Sequence, residues 1–297
     1  MKTLQDIIDS AKKIETKRVA VVGADDFEAV KAVSEAFDEG FVKPVLIGPK
    51  DEITKNLEKL GKNFEIIDAA SIYESSEKGV RLVSSGAADV LMKGNVKTSV
   101  LLKAALNKEW GLRTGSVISH VAVMETPNLE KIVMVTDGGM LVKPDLNQKI
   151  SIINNAVELA RSLYIETPKV AVLAAVEVVN PDMPETLDAS ILTQMNRRGQ
   201  IKNCIVDGPL ALDNALSEMA AKIKHIESDV AGFADILVVP DIHSGNILGK
   251  SAIYLAGGRI AGIILGTAAP IVIVSRADDS KSKMASLALA CMNSEKK

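Results

Sequence analysis

The chain is poor in aromatic residues: one Trp, three Tyr and five Phe make up 3% of its 297 residues. Its 47% apolar content is therefore carried by aliphatic side chains, a bias that suits a β-branched parallel sheet covered by Ala/Leu-rich helices. Cysteine is also sparse. Cys204 and Cys291 stand in apolar surroundings and read as free thiols in a reducing compartment rather than as a disulfide, so the expected localisation is cytoplasmic. Histidine occurs three times, at His120, His225 and His243, far apart in sequence and with no second His or Cys at i, i+4 of any of them, so no metal is expected. No apolar run outgrows a strand before Gly or Pro interrupts it, which argues against a transmembrane helix. Met1 leads into LQDIIDSAKKI, an acidic amphipathic helix rather than a leader. The net charge of -3, with both signs intermixed, gives no nucleic-acid or membrane surface. G-x-S-x-G is absent, and VGADD after the first strand is not G-x-G-x-x-G. Neither a serine-hydrolase elbow nor a Rossmann dinucleotide site is expected.

What is present is an alternation. Strands at Arg18–Gly23, Pro44–Gly48, Phe64–Asp68 and Asp89–Met92 are each followed by a helical pattern, which predicts βαβ units and a parallel sheet. ISHVAVME and KIVMVTDGG then follow one another with only TPNLE between them, too short for a crossover, so they should pair antiparallel or pass between domains. The alternation resumes through Lys169–Leu173, Cys204–Val206 and Ala234–Val239. It ends in two apolar runs, Gly262–Gly266 and Ile271–Val274, that read as buried strands of a parallel sheet. The last helix, KMASLALACMNSEK, has no strand after it and is expected to return to the first domain. This gives an α/β protein of two domains with mainly parallel sheets: residues 1–137 plus 277–297, and 138–276.

Four strand ends carry polar clusters: Lys93-Gly94-Asn95 with Lys97 and Thr98, Asp207-Gly208-Pro209, Asp241 to Asn246 with His243, and Ser275 to Asp279. In open α/β sheets ligands bind beyond the carboxyl ends of strands, and a helix N-terminus favours an anion there. Lys97, Thr98 and Lys103 add the cationic and hydroxyl donors that a phosphate or carboxylate needs. The plain alternative for KGNVKTS is a helix cap with solvated lysines, and for SRADD a strand-to-helix turn capped by Ser or Asp. His225 lies on a Lys-rich helix face and reads as solvated. His120 reads as a satisfied sheet or cleft histidine rather than a ligand, and His243 as a loop residue near substrate beside Asn246.

PDIHSGNILGKSAIYLAGG followed by PIVIVSRADD resembles the C-terminal part of phosphate acetyl/butyryltransferases. MKGNVKTSVLLKAAL, VNPDMPETLDA and DGPLALDNA resemble the family's other blocks in the same order, so the resemblance spans essentially the whole chain. The KGN and SRADDSKSK forms are closest to the butyryl-specific members. The resemblance implies a fold like that of isocitrate and isopropylmalate dehydrogenases with an active-site cleft between the domains, a homodimer or higher homo-oligomer, and a role in fermentation. It also implies the reaction acyl-CoA + phosphate = acyl phosphate + CoA by direct transfer, with no cofactor beyond the coenzyme A thioester as substrate. Under it, Ser275 hydrogen-bonds the sulfur or the oxyanion and Arg276 neutralises the acyl phosphate. Lys93, Asn95, Lys97, Thr98, Lys103, Asp241, His243, Asn246 and Tyr254 contact phosphate or CoA. Acetyl-specific relatives carry the catalytic aspartate seven residues after the serine, where this chain has Ser282, so Asp278, or failing it Asp279, is the expected base. They also carry an arginine where this chain has Tyr254, an exchange compatible with a longer acyl chain. A phosphate acetyltransferase and a non-catalytic acyl-CoA-binding module are the alternatives. A hydroxy-acid dehydrogenase is disfavoured, since neither an aspartate cluster for a metal nor an adenine-binding loop is found.

Overall fold

The computed structural model describes residues 1–273 and 279–295. The chain forms two compact units: a terminal unit of Leu4–Ser116 with Ala261–Lys297, and a central unit of Val117–Ile260 with Met1–Thr3.

The terminal unit opens with α1 (Leu4–Ala11), β1 (Lys17–Val22), α2 (Phe27–Asp38), β2 (Val42–Gly48), α3 (Lys50–Leu60), β3 (Glu65–Asp68), α4 (Ile72–Ser84), β4 (Val90–Lys93) and α5 (Thr98–Ala105). The inner strands β1, β2 and β4 are mostly apolar without alternation because helices cover both faces: Val19, Ala20, Val21 and Val22 are all fully buried. Asp26 caps α2 through the N–H groups of Glu28 and Ala29, and Ser71 caps α4 through Glu74.

The central unit contains β5 (Ser119–Glu125), β6 (Val133–Thr136), α6 (Leu146–Ser162), β7 (Lys169–Leu173), α7 (Pro184–Arg197), β8 (Ile205–Leu210), α8 (Leu212–Leu216), α9 (Glu218–Ile223), β9 (Ile236–Val238) and α10 (Ile242–Tyr254). The short 125–133 connection makes β5 and β6 antiparallel, and β6-β9-β7-β8 run parallel in that order. Asp145 and Gln148 form a capping box on α6, and Pro184 occupies the first turn of α7. The core of this unit packs Val133, Val135, Ala171, Leu210, Val230 and Leu237 together. Truncating one of its leucines to Ala removes about 2–5 kcal/mol.

The chain then returns through β10 (Arg259–Leu265), β11 (Ile271–Val272) and α11 (Ser280–Ser294). The strand order in the terminal unit is β3-β2-β1-β4-β11-β10. Helix α11 is buried over most of its circumference, from Ala285 to Met292, and packs on α1, α2 and β11. Burial pushes the Cys204 thiol up to about 11, and raises that of Cys291 further.

Four sequence expectations are corrected. β10 and β11 pair antiparallel, because the 266–270 link is too short for a crossover, although β11 does run parallel to β4. Asp207-Gly208-Pro209 is not a strand end: β8 continues through it, with Asp207 opposite Ala171, and reaches Leu210. The sequence LALDNALSEMAAKIK, whose pattern predicts one helix after Pro209, breaks into two short helices, because Ser217 leaves the helical region and caps α9. His243 and Asn246 are not in a loop, since α10 begins at Ile242. The compact units divide at 116/117 and 260/261, whereas the sequence reading set its divisions at 137 and 276. β5 and β6 go with the central unit because β6 pairs with β9, and β11 goes with the terminal unit because it pairs with β4.

Candidate functional site

In the terminal unit, β1, β2, β4 and β11 end on the same edge. Two backbone segments cross there at close range. The N–H of Gly94 donates to Val22 O at 2.7 Å, and that of Asn95 to Gly23 O at 2.7 Å. A Cβ on Gly94 would lie 2.3 Å from Gly23 O, and one on Gly23, itself at φ +70°, would lie 2.8 Å from Asn95 N. Ser75, from α4, anchors the crossing from below: its hydroxyl donates to Ile47 O and accepts from Gly23 N, each at 2.9 Å. The side-chain amide of Asn95 donates to Asp25 Oδ2 at 2.6 Å, and Asn56 Nδ2 donates to Asp25 O at 3.0 Å.

This crossing presents the KGN segment. Lys93 is the last residue of β4, with Nζ 3.1 Å from Gly94 O. Lys97 stands at the N-cap of α5 without a side-chain capping bond, and Lys97 and Thr98 are exposed. The free N–H groups of the first turn of α5 therefore lie beside a cationic side chain and a hydroxyl, an arrangement that suits an anion. Lys103 is exposed in the last turn of α5. Its Cα stands about 9 Å along the helix axis from that of Lys97, so it does not join this group. Ile271 lies opposite Leu91 and Val272 opposite Met92, so Ile273 leaves the sheet at the end where Lys93 stands. Ser275, Arg276 and Asp278 lie outside the described residues. Asp279 caps α11, its carboxylate accepting from Ser282 N at 2.7 Å.

In the central unit, β6, β9, β7 and β8 likewise end together. Asp241 caps α10, accepting from the N–H of Ser244 at 2.8 Å and its hydroxyl at 2.9 Å. The backbone bond from Ser244 is the leading cause that holds the Asp241 carboxyl below its usual value, with burial opposing it. His243 and Asn246 are exposed on the first turns of α10. Tyr254 is exposed at the other end of the same helix and is not gathered with them.

Two carboxylates were missed from sequence. Asp137, 1% exposed after β6, accepts from the N–H groups of Gly139 and Met140 with Oδ1 and of Leu141 with Oδ2. The loop it folds is pressed onto α10, where a Cβ on Gly245 would lie 2.6 Å from Gly138 Cα. The available signal was TDGG: an aspartate whose side chain can turn back onto following N–H groups because the glycines add no bulk. Asp25 was passed over in VGADD because its role appears only across the β1–β4 junction. Among the described residues, no three His, Cys, Asp or Glu side chains converge as metal ligands. No helix among them is long and apolar enough to cross a membrane.

Residues 69–291 match the family model described as phosphate acetyl/butaryl transferase. The chain belongs to this family. The phosphate butyryltransferase of Clostridium acetobutylicum is 46% identical over 98% of this chain and 98% of its own. The phosphate acetyltransferase of Thermotoga maritima is 47% identical over 97% and 99%. A crystal structure of a branched-chain phosphotransacylase from Enterococcus faecalis V583 superimposes with a TM-score of 0.84 at 33% identity, covering 94% of this chain and 99% of that one. The family match takes in α4 through most of α11 and with them the KGN segment, the Asp137 loop and the start of α10. The Asp25 loop precedes the matched region and lies within the span shared with the two transferases.

Proposed function

We propose that the protein is a phosphate acyltransferase that converts butyryl-CoA and phosphate to butyryl phosphate and CoA by direct transfer. Membership of the acyltransferase family supports the reaction class. The observation that carries the site assignment is the crossing of Gly23 and Gly94, which fixes Lys93, Asn95 and the first turn of α5 at one sheet edge.

A phosphate oxygen attacks the thioester carbon, and the carbonyl oxygen becomes an oxyanion that needs a donor. The C–S bond then breaks and CoA leaves as the thiolate, which takes up a proton. In the reverse direction a base must remove that proton, because a free thiol of pKa ~8.5 is mostly protonated at neutral pH. Lys97, Thr98 and the free N–H groups of α5 hold the phosphate, with Lys93 and Asn95 beside them. Lys103 meets a more distant part of CoA. Ser275 hydrogen-bonds the sulfur or the developing oxyanion, and Arg276 neutralises the acyl phosphate. Asp278 is the acid/base, the carboxylate of Asp279 being used as the cap of α11. His243 and Asn246 contact substrate from α10, where Asp241 holds the first turn. No covalent enzyme intermediate and no cofactor are required, since alignment of two bound substrates supplies much of the acceleration.

Tyr254, with its apolar ring and polar tip, supports the longer acyl chain, although close relatives carry both the butyryl and the acetyl name. We also propose a cytoplasmic homo-oligomer that serves fermentation; the exposed Ile247 on α10 and Leu255 just after it support a covered face. The test is phosphate-dependent thiol release from acetyl-, butyryl- and octanoyl-CoA without added metal. Highest kcat/KM with butyryl-CoA is expected. A maximum at acetyl-CoA would overturn the chain length alone, and CoA binding without turnover would leave the binding module.

A further inference from the structure

We infer that Asp25 is a positioning residue for the acyl-transfer reaction, acting through Asn95. The carboxylate lies in the loop after β1, and its Oδ2 accepts from Asn95 Nδ2 at 2.6 Å across the junction with β4. That loop is itself fixed. The N–H groups of Gly23 and Ala24 both donate to Ile47 O, at 2.9 and 3.1 Å, and Asn56 from α3 donates to Asp25 O. The backbone beneath Asn95 is held by its own bond to Gly23 O and by two glycines that admit no side chain at the crossing. What the backbone leaves undetermined is the direction of the Asn95 amide, which is exposed. A free asparagine samples several rotamers. An ionised acceptor at 2.6 Å selects one of them, because a hydrogen bond to a charged group is about twice as strong as a neutral one. The amide therefore meets an incoming phosphate or CoA already oriented, with its nitrogen turned toward Asp25.

This inference rests on Asn95 being a substrate contact. The experiment is a double-mutant cycle of Asp25→Ala and Asn95→Ala, read as kcat and KM for phosphate and for CoA substrates, with Tm measured on each variant. Asp25→Ala should raise KM for one substrate about tenfold and change kcat by less than about threefold. A merely structural role would reduce the active fraction, lowering apparent kcat with KM unchanged. The double variant should be no worse than Asn95→Ala alone, because the role inferred for Asp25 runs through that amide. Asp25→Asn, which keeps an oxygen to accept from Asn95, should recover most of the loss. It also serves as the test if the alanine variant does not fold. Multiplicative losses in the double variant, unchanged KM in Asp25→Ala, or an Asp25→Asn no better than Asp25→Ala would each overturn the inference while leaving the reaction in place. Absence of turnover in the unaltered protein would remove the reaction and the inference together.

Discussion

The two units finish their parallel strands in opposite chemical styles. The edge of the terminal unit is open and basic: Lys93, Lys97 and Thr98 stand over a crossing with no room for a side chain at Gly23 or Gly94. At the edge of the central unit, carboxylates turn inward, Asp137 onto three N–H groups and Asp241 onto Ser244. Both edges press a glycine pair together, Gly23 with Gly94 and Gly138 with Gly245. The lesson is a division of labour. Backbone contact fixes the cationic loop and leaves the exposed Lys97 and Thr98 for an anion, while side-chain acceptors fix the acidic loops and are used up in doing so.

The sharpest way to break this comparison is Gly94→Ala. Its Cβ must displace Gly23 O from 2.3 Å, so the two loops separate and Lys93 to Thr98 move together. A stability loss of about 2 kcal/mol and a fall in kcat/KM of at least about 100-fold are expected. Thermal unfolding and thiol-release assays check both, and full activity in a folded variant would mean that the crossing does not position the site. Asp137→Ala should act on stability first: three part-buried N–H groups lose their acceptor, at about 2 kcal/mol by denaturant titration. Asp137→Asn should lie between the two, because one oxygen remains. The smallest effect is expected at Asp241. Its folded carboxyl is held below the ordinary value of 3.8, so it contributes stability above that pH and loses it as pH falls through the lower folded value. The stability gap between the unaltered protein and Asp241→Asn should be constant from neutral pH to about 4 and shrink below that. A gap that widens on acidification would contradict the assignment.

Much of the fold was legible because buried parallel strands such as Val19–Val22 and Val170–Leu173 leave apolar runs between helical patterns. The antiparallel turn of β10 into β11 was not, because both runs are apolar enough for either pairing and only the length of the link decides. Asp207-Gly208-Pro209 looked like a strand end because glycine and proline usually punctuate, yet β8 runs on through the ladder to β7. His243 and Asn246 looked like loop residues because the first turn of α10 is polar: its cap is Asp241, and its glycine, Gly245, is there for the contact with Gly138. In the candidate site the cations were visible as residue types at a strand end. Asp25 was not, since its role is set by a hydrogen bond across the β1–β4 junction, and Asp137 left its trace only in the TDGG pattern.

The most direct test of the central claim is to trap the acyl product. Butyryl-CoA and phosphate are incubated with the protein in the presence of hydroxylamine, and hydroxamate and free thiol are counted against each other. Equal amounts of both above the protein-free rate, formed only when phosphate is present, are expected of direct transfer to phosphate. Protein-dependent thiol release without phosphate, or thiol without hydroxamate, would contradict it.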